Sequence, residues 1–387
     1  MRASVLLVVL AVSFPVHAAI DLSSNSGMQT TCLQARKQKP EQLRDDSEKV
    51  AYVICSGVDL LTDTWRWAIR QLPTLQLDSR NFRQQVRDKL EMILGKLKAG
   101  RQILETVRTT KPLFVIHPGE WVLDLNGDGT ITPFEKHFFW VARRGNDQIA
   151  AFSGVSSPAS YYEKNFIRPV MKLDQSDVYW AVAYLNFAEL ALNMVLSYDF
   201  DPARKDRIHL RDANRVKNVA YPRLLEGIAA SRKLRQSLLA ETDDDLEWIG
   251  NPKQASSTFP LILDAQAFIT WRALLEHLDK LARGKTLLGG SAAGSRPGVV
   301  PSWRSVDLTW GACRIGEGIN IGALFALPLT HPGNTAELAA RCMKPSKALP
   351  LTGLAQLLEK SLKRNAGRAT ESATGEWAVL RHMYWVN

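Results

Sequence analysis

The residues best placed to do chemistry lie in the stretch WVLDLNGDGTITPFEKHFF, positions 121–139. From Asp124 to Glu135 it holds three carboxylates (Asp124, Asp128, Glu135), the amide of Asn126, the hydroxyls of Thr130 and Thr132, and a central glycine. Oxygen donors at alternate positions of a tight loop can be turned toward one point. A hard cation asks for that arrangement, since calcium takes about six to eight oxygens at flexible geometry. No histidine or thiol belongs to the set, which disfavours zinc and copper. Gly129 permits the sharp bend that a side chain resists. The same residues also have a use without metal. Thr132 can cap a helix whose first turn starts at Pro133. The two uses are compatible.

The stretch resembles the calcium loop of the EF-hand family, written D-x-[DN]-x-[DN]-G with a glutamate six residues later. The resemblance implies Ca2+ as cofactor. It gives Asp124, Asn126 and Asp128 the first, third and fifth ligand positions, Thr130 a backbone carbonyl, Thr132 a water-mediated contact, and Glu135 both of its oxygens. It covers the loop and an exit helix, expected from Pro133 to Arg144 with Phe134, Phe138 and Val141 on one side. Pro118-Gly119 leaves too few residues for an incoming helix. Such loops usually pair, through an apolar residue in the eighth position, here Ile131. The segment Asp201–Asp212 has acids at both ends and Ile208 in the eighth position, but Ala203 and Lys205 cannot chelate. It is either a degenerate, metal-free partner or a charged connector. A lone loop outside the cytoplasm serves as a brace more often than as a signal, because affinities of about 10⁻⁴–10⁻³ M suffice where calcium is abundant.

The elements that must position this loop read as helices. Val86, Leu90, Ile93, Leu97, Leu104 and Val107 recur at helical spacing between Arg80 and Thr109, with Asp78 or Ser79 as cap. Similar patterns run over 224–239, 265–281 (with Gly284 as the stop) and 352–364. The most apolar of these segments, 178–198, carries Asn186, Glu189 and Asn193 on one face. A membrane span would put these polar groups in lipid at a cost, so a buried helix with a polar seam is expected. The seam could line a ligand pocket or hold satisfied core hydrogen bonds. The fold class expected is mainly α, a multi-helix globular protein with one EF-hand-like loop. Weak alternation in EWAVLRHMYWVN allows minor β structure at the C-terminus.

Residues 1–18 carry Arg2, an apolar run from Val5 to Val12 and a small residue at the end, as a secretory signal peptide does. The expected organisation continues with a helical region (19–110), the calcium loop and exit helix (111–150), a second helical region (151–285), a Gly/Ser/Pro-rich linker (286–302) and a C-terminal region (303–387). Periplasmic or secreted localisation follows, with no integral membrane segment after cleavage. Cys32, Cys55, Cys313 and Cys342 form an even set with no CxxC spacing, so two disulfides are expected. Of the three pairings, Cys32–Cys55 and Cys313–Cys342 each close a local loop. The formal charge of +10 favours an anionic envelope component or a protein partner, and export argues against nucleic acid. Basic residues cluster at 143–144, 204–217 and 232–235.

Signatures of catalysis are weak. There is no G-x-S-x-G, no H-E-x-x-H and no complete phosphate loop. Glu163, Glu189, Glu276 and Glu317 are candidate acids for a sugar-cleaving pair, and 11 tryptophans could stack on sugar rings. The expected function is an exported calcium-binding protein, with structural calcium, acting as a non-catalytic binding or scaffold module in the envelope. The alternative is a calcium-stabilised cell-wall or polysaccharide hydrolase.

Overall fold

The computed structural model describes residues 20–71, 79–142, 158–201, 207–255, 257–258, 264–289, 312–314, 316–331, 335–354 and 357. Residues 1–18, 202–206 and 290–302, most of the expected helix 352–364 and the C-terminal segment lie outside these. The fold is mainly α, as the hydrophobic periodicity predicts.

Helices α1 (Asn25–Ala35), α2 (Asp46–Gln71) and α3 (Arg80–Leu104) come first. Ser24 and Ser79 cap α1 and α3 by accepting the Gly27 and Phe82 amide protons. The Cys32–Cys55 bridge joins α1 to α2 inside the core. Two antiparallel strand pairs then enclose the loop region. Strand β1 (Val115–Ile116) pairs with β4 (Met171–Lys172), and β2 (Val141–Ala142) pairs with β3 (Phe166–Ile167). The one-turn helix α4 (Pro133–Lys136) and α5 (Ala159–Asn165) lie between them in the chain.

The long apolar helix α6 (Gln175–Leu196) packs between α3 and α8 (Tyr221–Ala240), with one core cluster on each side. Hairpin β5 (Tyr198–Phe200) and β6 (Ile208–Leu210) follows it. A short helix α7 (Ala213–Arg215) then leads through a π-type turn (Val216–Ala220) into α8. Helix α9 (Ala265–Ala282) closes the second core, and Gly284 stops it at φ +66°. Strands β7 (Leu288–Gly289), β8 (Gly318–Ile319) and β9 (Cys342–Met343) form a small antiparallel sheet, and helices α10 (Ile321–Ala326) and α11 (Thr335–Ala339) lie between β8 and β9. The Cys313–Cys342 bridge ties β9 to the chain ahead of β8. Both local pairings are therefore formed, the pattern of a chain that matures in an oxidising compartment.

Among the described residues, α6 alone is long and apolar enough to cross a membrane. Its polar seam is a satisfied core. Glu189, 2% exposed, accepts from Arg101 Nε at 2.5 Å, and Arg101 is 5% exposed. Asn193 donates to the Glu189 carbonyl (2.7 Å), and Asn186 donates to Val182 O while accepting from Arg223.

Three local expectations are corrected. The exit helix ends at Lys136 instead of Arg144. Successive helical residues point about 100° apart, so one helix face cannot bury Phe138, Phe139 and Trp140 together. The chain unwinds, Phe138 packs against Trp65, Phe139 against Trp121, and Trp140 donates to Gly119 O at 3.0 Å. The expected linker 286–302 begins with ordered structure. Leu287 is fully buried and exchanges backbone bonds with Pro350 and Thr352. Helix α3 stops before Thr109, where Thr109 bonds its own Lys111 carbonyl.

Removing one member of the Arg101–Glu189 pair strands the other charge in the core, at a cost of about 3–5 kcal/mol. The Arg101→Met variant is expected to lose stability on that scale in urea unfolding. Adding Glu189→Leu is expected to restore most of it. A single Arg101→Met variant as stable as the parent would show that the pair does not hold α3 to α6.

Candidate functional site

Buried Trp121, Leu123 and Leu125 anchor the entry to the calcium-like loop and leave the alternate residues facing outward. Asp124 Oδ1 accepts the Gly127 amide at 2.6 Å and Oδ2 accepts that of Gly129 at 3.1 Å. Asn126 Oδ1 accepts from Asp128 N (2.9 Å), Asp128 Oδ1 from Thr130 N (2.7 Å), and Asp128 Oδ2 from the Asn126 side-chain amide (2.9 Å). Gly127 and Gly129 both sit at φ +79°, a backbone setting that glycine adopts at little cost. The loop rests on α2. Trp65 stacks on Phe134 (5.6 Å between centroids), and Arg66 donates to Asp124 O at 2.7 Å.

Glu135, 3% exposed, stitches the loop's end to its start. Its Oε1 accepts from Leu125 N (2.8 Å) and Asn126 N (3.2 Å), and its Oε2 from Thr132 N (2.9 Å) and Thr132 Oγ1 (2.8 Å). Thr132 Oγ1 accepts the Glu135 amide in return, which completes a capping box for α4. Of the six motif residues, Asn126 and Asp128 thus bond each other, while Asp124 holds the backbone of the same turn through Gly127 and Gly129. Glu135 and Thr132 form the cap, and Thr130 is exposed. These four bonds occupy all the lone-pair directions of the Glu135 carboxylate. Bidentate ligation would exchange some of its backbone donors for the ion. The donor set is hard oxygen throughout, so it suits calcium in kind.

Among the described residues, no second loop meets the pairing surface. Ile131 is 43% exposed, and Ile208 pairs with Phe200 in the β5–β6 hairpin instead. The described part of Asp201–Asp212 is therefore a hairpin ending in Asp212, the cap of α7.

A second acidic constellation was not foreseen from the sequence. Asp174, Glu241 and Glu247 bring carboxylate oxygens within 4.8 Å of one another, the one such group of three acid, histidine or cysteine side chains among the described residues. Asp174 caps α6, accepting from Ser176 N and Oγ at 2.7 Å each. Glu241 ends α8. The acidic segment ETDDDLE (241–247) folds back over β4, where Lys172 N donates to Leu246 O (3.0 Å) and Lys172 Nζ meets Asp245 (3.1 Å). Leu246 takes φ 57° in that turn, and Glu247 follows it inward. Burial, then the neighbouring Asp174, pushes Glu241 up to about 7. Burial, with Glu241, Asp174, Asp243 and Asp244 around it, pushes Glu247 up to about 8. Asp177, beside them, is raised well above the usual carboxylate range, chiefly by burial and then by Asp174. The signal was present as five acids in seven residues, but its partner Asp174 lies far away in the chain.

No protein-family model, curated protein or solved structure matches the chain.

The other candidates have separate structural duties. Glu163 lies on α5, Glu189 is held by Arg101, Glu276 faces Arg272 on the exposed side of α9, and Glu317 accepts from Arg314 N. His137 is buried against Tyr162 with Nδ1 2.6 Å from Pro133 O, and His277 Nδ1 meets Thr352 Oγ1 at 3.0 Å. Part of the basic surface is structural as well. Arg235 donates to Phe268 O, Arg232 lies 3.5 Å from Asp279, and Arg215 pairs with Glu91.

The two raised glutamates set a pH dependence. In the unfolded chain they titrate near 4.3, so between that value and about 8 the folded state holds more protons than the unfolded one. Stability then falls as pH rises through this window. In chelator, the melting temperature is expected to decline from pH 5 to pH 8. The decline should flatten in Glu241→Gln/Glu247→Gln, and an equal slope in that variant would refute the assignment.

Proposed function

We propose that this chain is an exported binding or scaffold module of the cell envelope, periplasmic or secreted, whose loop Asp124–Glu135 takes a calcium ion as a structural brace. One observation carries the reading. All six motif residues fall in a single compact turn, with Asp124 gathering the Gly127 and Gly129 amides and Glu135 returned to the loop's start. The signal-like residues 1–18 and the two disulfides support export.

Asp124, Asn126, Asp128 and Glu135 would hold the ion through side-chain oxygens, with Thr130 through its carbonyl and Thr132 through a water. The bound ion would supply positive charge to three clustered carboxylates. The protein's own contribution is mechanical. Trp65 and Arg66 fix the loop to α2, the capping box starts α4, and β1–β4 closes the unit behind it. A brace here secures the packing of α2 against the strand-bounded segment. Partners that fit the net positive charge are an anionic envelope polymer, lipid headgroups or an acidic protein face. For the hydrolase alternative, the four candidate glutamates sit on separate elements and none of them favours it.

Calcium at about ten times its dissociation constant stabilises a folded state by about 1.4 kcal/mol. The mature chain is expected to melt about 2 °C higher in millimolar calcium than in chelator, and Asp124→Asn/Asp128→Asn is expected to remove the loop's share of that shift. Identical melting in calcium and chelator would sink the reading. Release of reducing ends from peptidoglycan or glycans would overturn the non-catalytic assignment.

A further inference from the structure

The Asp174–Glu241–Glu247 cluster lacks what the fold supplies to its other buried acids. Glu247 is only 6% exposed, its carboxylate turns into the cluster, and among the described residues it has neither a hydrogen-bond donor nor a counter-ion. Both carboxylate oxygens of Glu241 are out of solvent, and neither receives a well-aligned hydrogen bond, although Ser176 and Gln254 stand beside it. The polar groups beside Glu241 direct their bonds elsewhere, Ser176 Oγ to Asp174 Oδ1 and Gln254 Nε2 to Asp243 O. The nearby ammonium of Lys172 faces Asp245 on the outside of the turn. Asp177, Asp243 and Asp244 add further negative charge around the site.

An unpaired buried carboxylate is costly, and two or three together repel one another as well. Only a proton or a cation relieves both effects. Three convergent side chains from the N-cap of α6, the C-cap of α8 and the turn after it match a preformed oxygen site. Helix ends and a strand-tied turn fix their positions. We propose that Asp174, Glu241 and Glu247 bind a hard divalent cation of the Ca2+, Mg2+ or Mn2+ class, at a site separate from the Asp124–Glu135 loop. Donors of this kind, without histidine or thiolate, select hard over soft metals. The ion would tie the start of α6 to the end of α8, the two helices that dominate the centre of the molecule. The inference does not rest on the loop reading.

The test uses the mature chain with the loop disabled by Asp124→Asn/Asp128→Asn. Bound Mn2+ is counted by electron paramagnetic resonance, and folding is checked by circular dichroism. One Mn2+ per chain is expected in that background, and none after adding Glu241→Gln/Glu247→Gln. Asp174→Asn guards against misfolding, because asparagine still caps α6. It is expected to weaken Mn2+ binding while leaving the helical signal unchanged. A folded loop-disabled chain that binds no Mn2+ overturns the proposal. So does an unchanged count in the glutamine or asparagine variants. Glutamine variants that melt higher in chelator, with no Mn2+ bound by their parent, would assign the cluster to shared protons and likewise overturn the ion. Loss of the calcium response at the loop with this site intact would strike the loop reading alone.

Discussion

A carboxylate taken out of water must find donors, a counter-ion, a proton or a metal, and the arrangement of this fold follows from how it meets that demand. Glu189, in the middle of α6, is met by Arg101 from α3, so the most apolar helix is fixed in register against its neighbour. Glu135 is met by backbone amides and a threonine hydroxyl, so one side chain closes the loop and starts α4. At the junction of α6 and α8, Glu241 and Glu247 meet each other and Asp174, with no cation among the described residues to offset them. The first solution is complete within the protein. The second is complete with the loop's own donors, and the third leaves acids facing acids.

That ordering matches the duties of the elements. Helix α6 is the axis of the structure, and its charge is neutralised by a residue that cannot leave. The loop stands at the surface against α2, where solvent and ions reach Asp128 and Asn126. Its local bonds make a turn that is already bent, which lowers the ordering cost of any ion that enters. The acidic junction is half-buried, at the seam where Tyr179, Trp180 and Phe187 of α6 pack on the apolar cluster that holds Ile228, Leu234 and Leu238 of α8.

The helices were legible in the sequence because they are long and periodic. Val86 to Leu104 marks α3, Ser79 caps it as read, and Gly284 ends α9. The disulfide pairs were legible because each closes a local loop. The motif in the loop was legible because six residues in one short segment carry it. Three kinds of feature escaped. The short strands β1 to β4 are two-residue pairings with no room for an alternating pattern. The early end of α4 depends on where Trp65 and Trp121 stand, which is tertiary information. The acidic cluster joins a helix cap at Asp174 to a run beginning at Glu241, and nothing in either segment names the other. The acidic run itself was visible, but an acidic run most often marks a solvated turn.

The central claim is that the Asp124–Glu135 turn holds calcium as a brace. Diffraction from crystals of the mature chain grown in calcium, with an anomalous difference map, tests it most directly. The account predicts a peak about 2.3–2.6 Å from oxygens of Asp124, Asn126 and Asp128, with Glu135 turned to share it. An empty loop at saturating calcium, with Glu135 still bonded to Thr132 and Leu125, would contradict it.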